Sequence, residues 1–403
     1  MIQILDSTAP FDFFAKNGYY KVGNCVAVHS GPAYQEASRT GLPVQWHFND
    51  EVYNKFDWRS RLNLSVSELY RMRAQQLRNK YDYLILWFSG GADSSTILES
   101  FLYNNIRLDE IVIVWPRSLT AGKYTPNLNT DPSNFVSEWE YSIKPKLDWV
   151  AQNHPEVRIT VLDQFVDMPA VEDHEDTWTL IEKHNFPAIH KQRLMDHALR
   201  ERSQTHKNIA SIAGNSPPAI AVLDNAWLAV YFENNLASSA NGKSDYLLDG
   251  TPRNVEYFYW TPDFPELLRE QAHVILEHLN SNPMAKDLFF QHSLRTHNQN
   301  LNALNDSDIR ELRRQLIKKL IYPNWISTTF QSKKPKGMYI QPEIYTWFFT
   351  NPESEQFLQS WKSAIRSQYS LIKDSTWFDT QNGTDGFKNF FSKFYPIGRL
   401  TSN

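Results

Sequence analysis

Cysteine is nearly absent from this 403-residue chain, and the shortage narrows its chemistry. A single cysteine, Cys25, excludes an intrachain disulfide and any zinc site built from cysteine ligands. It stands in the apolar run 25–28, which favours a small buried side chain over a reactive thiol. Chemistry that relays a persulfide between two thiols is excluded for the same reason.

Long apolar runs and an excess of one charge are also missing. No stretch is long enough to span a bilayer, and the start, Met1-Ile2-Gln3, has no signal-peptide pattern. We therefore expect a cytoplasmic protein without a membrane partner. A net charge of −4 argues against a general nucleic-acid coat but leaves a local basic patch open.

The most informative stretch is residues 83–102. Leu84–Phe88 forms an apolar run of the right length for a buried strand, and glycines follow it at once. Apolar residues then recur with a helical period from Ile97 to Leu102. The sequence therefore predicts a strand, a glycine loop and a helix start. The loop and first helical residues are Ser89, Gly90, Gly91, Ala92, Asp93 and Ser94.

This order of elements predicts an anion site. The first turn of a helix has backbone N–H groups without intrahelical partners and carries a partial positive charge, so phosphate binds there. Gly90 and Gly91 let a ligand approach the backbone closely, and Ser89 and Ser94 offer hydroxyls to phosphate oxygens. Asp93 beside a polyphosphate would repel it by several kcal/mol at an effective dielectric of about 20. We therefore interpret Asp93 as a Mg²⁺ ligand, directly or through water.

The run SGGADS resembles the S-G-G-x-D-S signature of the PP-loop ATP pyrophosphatase superfamily, in its N-type group with asparagine synthetases, NAD synthetases and tRNA-modifying adenylyltransferases. No lysine follows the glycines, so the loop is not a Walker loop. The plain alternative is a Gly-Gly turn without a ligand. The resemblance implies ATP and Mg²⁺ as cofactors. It implies cleavage between the α and β phosphates, adenylation of an acceptor oxygen with release of pyrophosphate, and displacement of AMP by a nitrogen nucleophile such as ammonia or an amine.

The fold class that we expect is α/β, with a parallel sheet of the adenine nucleotide alpha-hydrolase-like kind. Residues 1–80 form a short N-terminal α+β section, and residues 81–232 form the PP-loop ATP-binding domain. Residues 233–403 form a mostly helical C-terminal domain that closes over the strand ends. The layout of the whole chain also resembles PP-loop proteins of large tailed phages, although no motif beyond the loop carries that likeness.

Local signals predict several other elements. Gly23-Asn24 joins a hairpin, and Ser65 with Glu68 forms a capping box for a helix that ends near Lys80. Pro145 kinks or divides a helix over 133–150, while Thr261-Pro262-Asp263 caps another. A helix over 306–321 has apolar residues on one face and Arg310, Arg314 and Lys318 on the other.

The resemblance extends to further site residues. In similar enzymes the adenine lies at the end of the second strand, which points to Val114 and Trp115 here. Gly214 follows a later strand, where a second phosphate loop is expected, but the paired acids of that loop are missing. A basic residue would neutralise charge as pyrophosphate leaves. Lys191 and Lys333 are our catalytic candidates, and Lys207 and Lys334 are open alternatives.

The acceptor is left open by the sequence. The first hypothesis is a small molecule or nucleotide. A second is tRNA or DNA, held by a basic stretch over 310–336 that a merely solvated helix face would explain as well. Its residues are Arg310, Arg314, Lys318, Lys333, Lys334 and Lys336. A third hypothesis is a nucleotide-binding module without turnover. The acidic run 172–176 is a solvated loop or, less simply, a second metal site.

Overall fold

The computed structural model describes the chain in separate ranges, which are 2–5, 18–27, 30–114, 139–162, 198–214, 218–223, 226–232, 254–294, 306–325 and 392–401. In chain order the strands are β1 (Gln3–Ile4), β2 (Tyr19–Val22), β3 (Cys25–Ala27), β4 (Gln45–His47), β5 (Tyr83–Trp87), β6 (Glu110–Val114), β7 (Arg158–Leu162), β8 (Ile209–Ala213), β9 (Ala219–Leu223), β10 (Trp227–Tyr231), β11 (Asn254–Tyr257) and β12 (Tyr395–Arg399). The helices are α1 (Ser30–Thr40), α2 (Asp50–Tyr53), α3 (Val66–Lys80), α4 (Ala92–Leu102), α5 (Lys144–Asn153), α6 (Pro265–Ser281), α7 (Pro283–Leu294) and α8 (Asp306–Ile321). Within these ranges, no helix combines the length and the apolar character that crossing a bilayer requires.

A five-stranded parallel sheet forms the centre of this mixed α/β fold. Its strand order is β11-β8-β5-β6-β7, and every neighbouring pair is parallel. Counted from β5, the first strand of this sheet, the order is 3-2-1-4-5, and it reverses between β5 and β8. Ligands of open parallel sheets bind beyond the carboxyl ends of the strands at such a reversal. The loop at 89–94 lies at this edge.

Strand β5 is buried on both faces, as its continuous apolar run predicted. Leu84 and Leu86 point into the main core, where α4 packs against the sheet. Ile85 and Trp87 point the other way, into a second apolar cluster that includes Leu199. Burial on both faces holds the end of β5, and therefore the following loop, in a fixed position.

The N-terminal residues form a smaller sheet of order β1-β3-β2-β4. The predicted hairpin is present, and Gly23 has a φ of 56° in its turn. Helix α3 starts after Ser65, whose Oγ accepts a hydrogen bond from the Glu68 N–H at 3.2 Å. This is the cap that the sequence predicted.

The residues that the structure describes beyond 232 include two strands, in the region predicted to be mostly helical. β11 adds to β8 as the edge of the parallel sheet, and β12 pairs antiparallel with β10 of the β9–β10 hairpin. Both strands are short and pair with strands from earlier in the chain, so their local sequence gave little sign of them. The described part of this region therefore mixes strands with α6, α7 and α8.

Prolines set the start of two helices. Pro145 lies at the beginning of α5, directly after a π-helical turn at Trp139–Ile143, so it divides the predicted helix. Helix α6 begins at Pro265 rather than at the predicted cap. Thr261 Oγ accepts from the Asp263 N–H at 3.2 Å, which makes a turn before the helix instead.

Helix α8 has the predicted bounds, but its faces differ from the prediction. Leu312, expected inside, is 47% exposed, whereas Lys318, expected on the solvated basic face, is 6% exposed. Ile317 and Ile321 are buried as part of the main core. The helix packs with these residues against α6, and this orientation directs Lys318 toward the start of α4.

Candidate functional site

The loop after β5 has the geometry of an anion site. Gly90 has a φ of 75°, and Gly91 is the extended residue before α4. The first intrahelical bond runs from the Ser95 N–H to the Gly91 carbonyl at 3.0 Å. The N–H groups of Ala92, Asp93 and Ser94 therefore precede the helical hydrogen-bond ladder and are oriented for a ligand.

The two serines hold this loop closed. Ser94 Oγ lies 3.2 Å from Ser89 Oγ, accepts from the Ser89 N–H at 3.2 Å and donates to the Gly91 carbonyl at 3.2 Å. The side chain of Ser94 is buried, whereas Ser89 is exposed. Of the two hydroxyls predicted to meet phosphate, Ser89 thus lies at the surface and Ser94 shapes the loop.

A glycine is required at position 90 by the close packing of neighbouring residues as well as by the backbone conformation. A Cβ at this position would lie 2.6 Å from Ile143 Cγ1. The Ser142 hydroxyl donates to the Gly90 carbonyl and fastens the loop to the turn before α5. The loop therefore has α4 on one side and the start of α5 on the other.

Gly214, at the end of β8, approaches the same helix start. A Cβ there would lie 3.4 Å from both the Ser94 Cα and the Ser94 N, and 3.1 Å from Ile97 Cδ1. A residue without a side chain lets the end of β8 pack against the first turn of α4. The predicted second loop thus begins beside the first, and its residues 215–217 lie outside the described ranges.

Asp93 contacts two residues of the α8 region. Tyr322 Oη donates to Asp93 Oδ1 at 2.7 Å, and Lys318 Nζ lies 3.9 Å from the same oxygen. Tyr259 Oη donates to the Asp93 backbone carbonyl at 2.7 Å. Burial raises the pKa of Asp93, and the Lys318 ammonium, the Tyr322 hydroxyl and the more distant Arg314 offset only part of that effect. The ionised carboxylate is therefore incompletely compensated by its protein neighbours.

Lys318 is the site residue that the sequence analysis missed, since it was assigned to a solvent-facing basic surface. The sequence does carry one signal: Arg314, Lys318 and Tyr322 follow at steps of four and so share one helical face that ends in an aromatic residue. The periodicity shows the shared face but not what that face packs against. Only the packing of α8 reveals that Lys318 meets Asp93.

The environment of Asp93 suits a magnesium ion. Within the described residues, no three His, Cys, Asp or Glu side chains lie together as a metal site. Mg²⁺ at nucleotide sites commonly binds through one or two carboxylates. Both contacts described above go to Oδ1, and a second positive charge would stabilise this partly buried carboxylate.

The other predicted site residues are only partly described. Val114 ends β6 and packs at the margin of the cluster that contains Trp87. Arg314 is exposed on α8, on which Arg310 also lies. Several predictions fall outside the described residues, namely Trp115, the acidic run 172–176, Lys191, Lys333, Lys334 and Lys336.

Comparison with known proteins adds no relative. No protein-family model matches the chain, and neither the curated proteins nor the solved structures gave a significant match. The functional argument therefore depends on the residues and the geometry described above.

Proposed function

We propose that this protein binds ATP at the loop 89–94 and cleaves it between the α and β phosphates, transferring AMP to an acceptor oxygen. A nitrogen nucleophile then displaces AMP from the adenylated acceptor. The chain would thus be an adenylating ligase or transferase of the PP-loop kind, and since it consumes ATP we expect it in the cytoplasm. The loop's sequence signature, its position at the reversal of the parallel sheet and its phosphate-compatible backbone all support this proposal.

One observation carries the proposal: a buried lysine approaches the N-terminus of α4. Lys318 is 6% exposed, and its ammonium lies 3.9 Å from the Asp93 carboxylate, beyond ordinary hydrogen-bond distance. An ammonium held near the first turn of a helix is suited to bind an anion. In the proposed reaction Lys318 stabilises the negative charge that develops on the departing pyrophosphate.

Asp93 would hold the magnesium ion that accompanies ATP. When bound, Mg²⁺ supplies positive charge to the phosphate oxygens and lowers the cost of breaking the bond to pyrophosphate. Tyr322 fixes the carboxylate through its hydrogen bond to Oδ1, and Tyr259 fixes the backbone of the same residue. The protein thereby orients Asp93 before any ligand arrives.

The nucleic-acid alternative gains no support from α8. Lys318, one of its six proposed contacts, is buried at Asp93 rather than presented on a surface. A small-molecule or nucleotide acceptor therefore remains the first choice.

Two measurements test the proposal. Calorimetric titration with the non-hydrolysable analogue α,β-methylene-ATP, with and without Mg²⁺, measures binding. Incubation with ATP labelled at the α phosphate, in the presence of fractionated metabolites, measures release of AMP and traps any adenylated acceptor for mass spectrometry. We expect magnesium-dependent binding and AMP formation.

The outcomes separate three cases. Absence of binding to the analogue would refute the proposal at its base. Binding without AMP formation under any condition would favour a nucleotide-binding module. AMP formation only with added tRNA or DNA would favour the nucleic-acid acceptor.

A further inference from the structure

A groove runs from the phosphate loop along the outer side of α4. It has a volume of about 430 Å³, and α5 and residues 324–325 form its other walls. Its near end contains Gly90 and Ala92, and its far end contains Tyr103. At about 1.5 Å of rise per residue, Ala92 and Tyr103 lie about 16 Å apart along the helix. The groove is therefore long enough for a molecule larger than a single amino acid.

The polar floor of the groove is electrically balanced. Lys146 Nζ lies 2.7 Å from Glu99 Oε1, and Asn324 Nδ2 donates to Glu99 Oε2 at 2.9 Å. The side chains of Glu99 and Lys146 are 11% and 23% exposed, so the pair is largely removed from solvent. A strongly charged ligand would gain little from this floor, whereas an uncharged ligand with hydrogen-bonding edges would match it.

Aromatic rings form the far end. Tyr103 and Trp149 meet edge to face with their centroids 5.2 Å apart, and the Lys146 ammonium lies over both rings. Tyr103, which lines the groove, is 51% exposed. An exposed ring beside a charge-neutral polar floor is suited to stack against a flat, uncharged ring.

We propose that this groove is a binding site for a nucleoside, whose base stacks on Tyr103 while its sugar points toward Gly90. The base is planar and uncharged, and its edge can bond to the Glu99–Asn324–Lys146 group. The ribose hydroxyls would then face the phosphate loop. Only the role of the nucleoside as the adenylated acceptor rests on the proposed function, because binding itself is measured without turnover.

The test is calorimetric titration of the full chain with adenosine, guanosine, cytidine and uridine. Saturating Mg²⁺ and α,β-methylene-ATP are present so that the ATP site is filled. We expect saturable binding of at least one nucleoside. Removing the stacking ring in Tyr103→Ala should weaken it about tenfold or more. Tyr103→Phe, which keeps the ring, should stay within about twofold of the parent affinity.

A matched control is Met284→Ala, which shortens a side chain that is 83% exposed on α7 and does not line the groove. It should bind the nucleoside as the parent does, and thermal melts should show that all variants fold. The inference is overturned if none of the four nucleosides binds, or if Tyr103→Ala binds as tightly as the parent. Failure of the ATP proposal is separate, since it appears as absent binding of α,β-methylene-ATP while the groove variants still change nucleoside affinity.

Discussion

Asp93 is a residue whose ionised form costs stability in the folded protein. Burial raises its pKa above the ordinary value of 3.8, so the folded chain binds this proton more tightly than the unfolded chain. The cost is absent below pH 3.8, appears as the pH rises through the folded pKa and is complete above it. Such a cost is common where a charge is kept for function rather than for stability.

We predict that Asp93→Asn stabilises the fold at pH 7, because the amide keeps the shape of the side chain and removes the charge. The difference from the parent should shrink as the pH falls and vanish near pH 3. Urea unfolding over this pH range measures it, and calorimetry should show that the variant no longer gains ATP affinity from Mg²⁺. Asp148→Asn, which alters a carboxylate with a 56% exposed side chain on α5, is the control that should change neither property. A variant less stable than the parent at neutral pH would contradict this account.

Lys318 should contribute to the affinity for the nucleotide, whereas its neighbour Lys319 should not. Lys318→Met keeps a side chain of similar length but removes the ammonium near α4. A hydrogen bond from a charged group contributes about 1.5–3 kcal/mol. Affinity for α,β-methylene-ATP should therefore fall about 10- to 100-fold. Lys319→Met makes the same chemical change one residue along, at an exposed position, and should leave the affinity within about twofold. Equal losses in the two variants would show that only the overall charge is involved.

At the scale of the element, the loop depends on a glycine that is constrained twice. Gly90 has a φ of 75° and abuts Ile143, whereas Gly41 has a φ of 70° with nothing within 4 Å of a built Cβ. Gly41→Ala should cost about 1–2 kcal/mol for the left-handed backbone alone. Gly90→Ala should cost about 1–3 kcal/mol more, because it adds the overlap with Ile143. Urea unfolding measures both.

A double-mutant cycle identifies the source of that difference. Ile143→Ala in the Gly90→Ala background removes the atom that the new Cβ would strike, so the two changes together should cost less than their sum. Additive costs would mean that the backbone conformation alone accounts for the penalty at Gly90.

Elements whose signal is local were predicted well. The strand before Ser89, the hairpin at Gly23-Asn24, the cap at Ser65 and the bounds of α8 all follow from apolar period, turn residues and capping chemistry. Strand β11 did not, because an edge strand of four residues depends on pairing with β8. The inward position of Lys318 also could not be read, because helical period fixes which residues share a face and not what that face touches.

For the molecule as a whole, two buried carboxylates tie helices to the central sheet. Glu110 on β6 accepts from Arg202 at 2.8 and 3.0 Å. Glu256 on β11 accepts from Arg73 at 2.9 Å and from Lys80 at 2.8 Å, both on α3. Burial alone would raise their pKa values, but the hydrogen bonds and charges of these partners outweigh it, so the pKa of each lies below its usual range. Both carboxylates therefore stabilise the fold when ionised.

The sign of this contribution is opposite to that of Asp93. Stability from Glu110 and Glu256 is present above the ordinary value of 4.5 and is lost as the pH falls through their lowered pKa values. The urea concentration at which half of the parent protein is unfolded should therefore decrease once the pH is below about 4.5. Protonation of Asp93 relieves part of the loss, so the fall should be steeper in Asp93→Asn.

The Glu110→Gln variant tests whether the Glu110–Arg202 pair accounts for the loss of stability in acid. This change removes the buried carboxylate beside Arg202, which is 5% exposed and is also paired with Glu201 at 2.6 Å. It should cost about 3–5 kcal/mol at pH 7. It should also reduce the loss of stability on acidification, since a buried carboxylate with a lowered pKa is gone. Urea unfolding from pH 7 to pH 3 checks both effects in one series. If Glu110→Gln loses as much stability in acid as the parent, other carboxylates govern acid unfolding. The ion pair between Glu110 on β6 and Arg202 would then not determine the stability of the sheet as the pH falls.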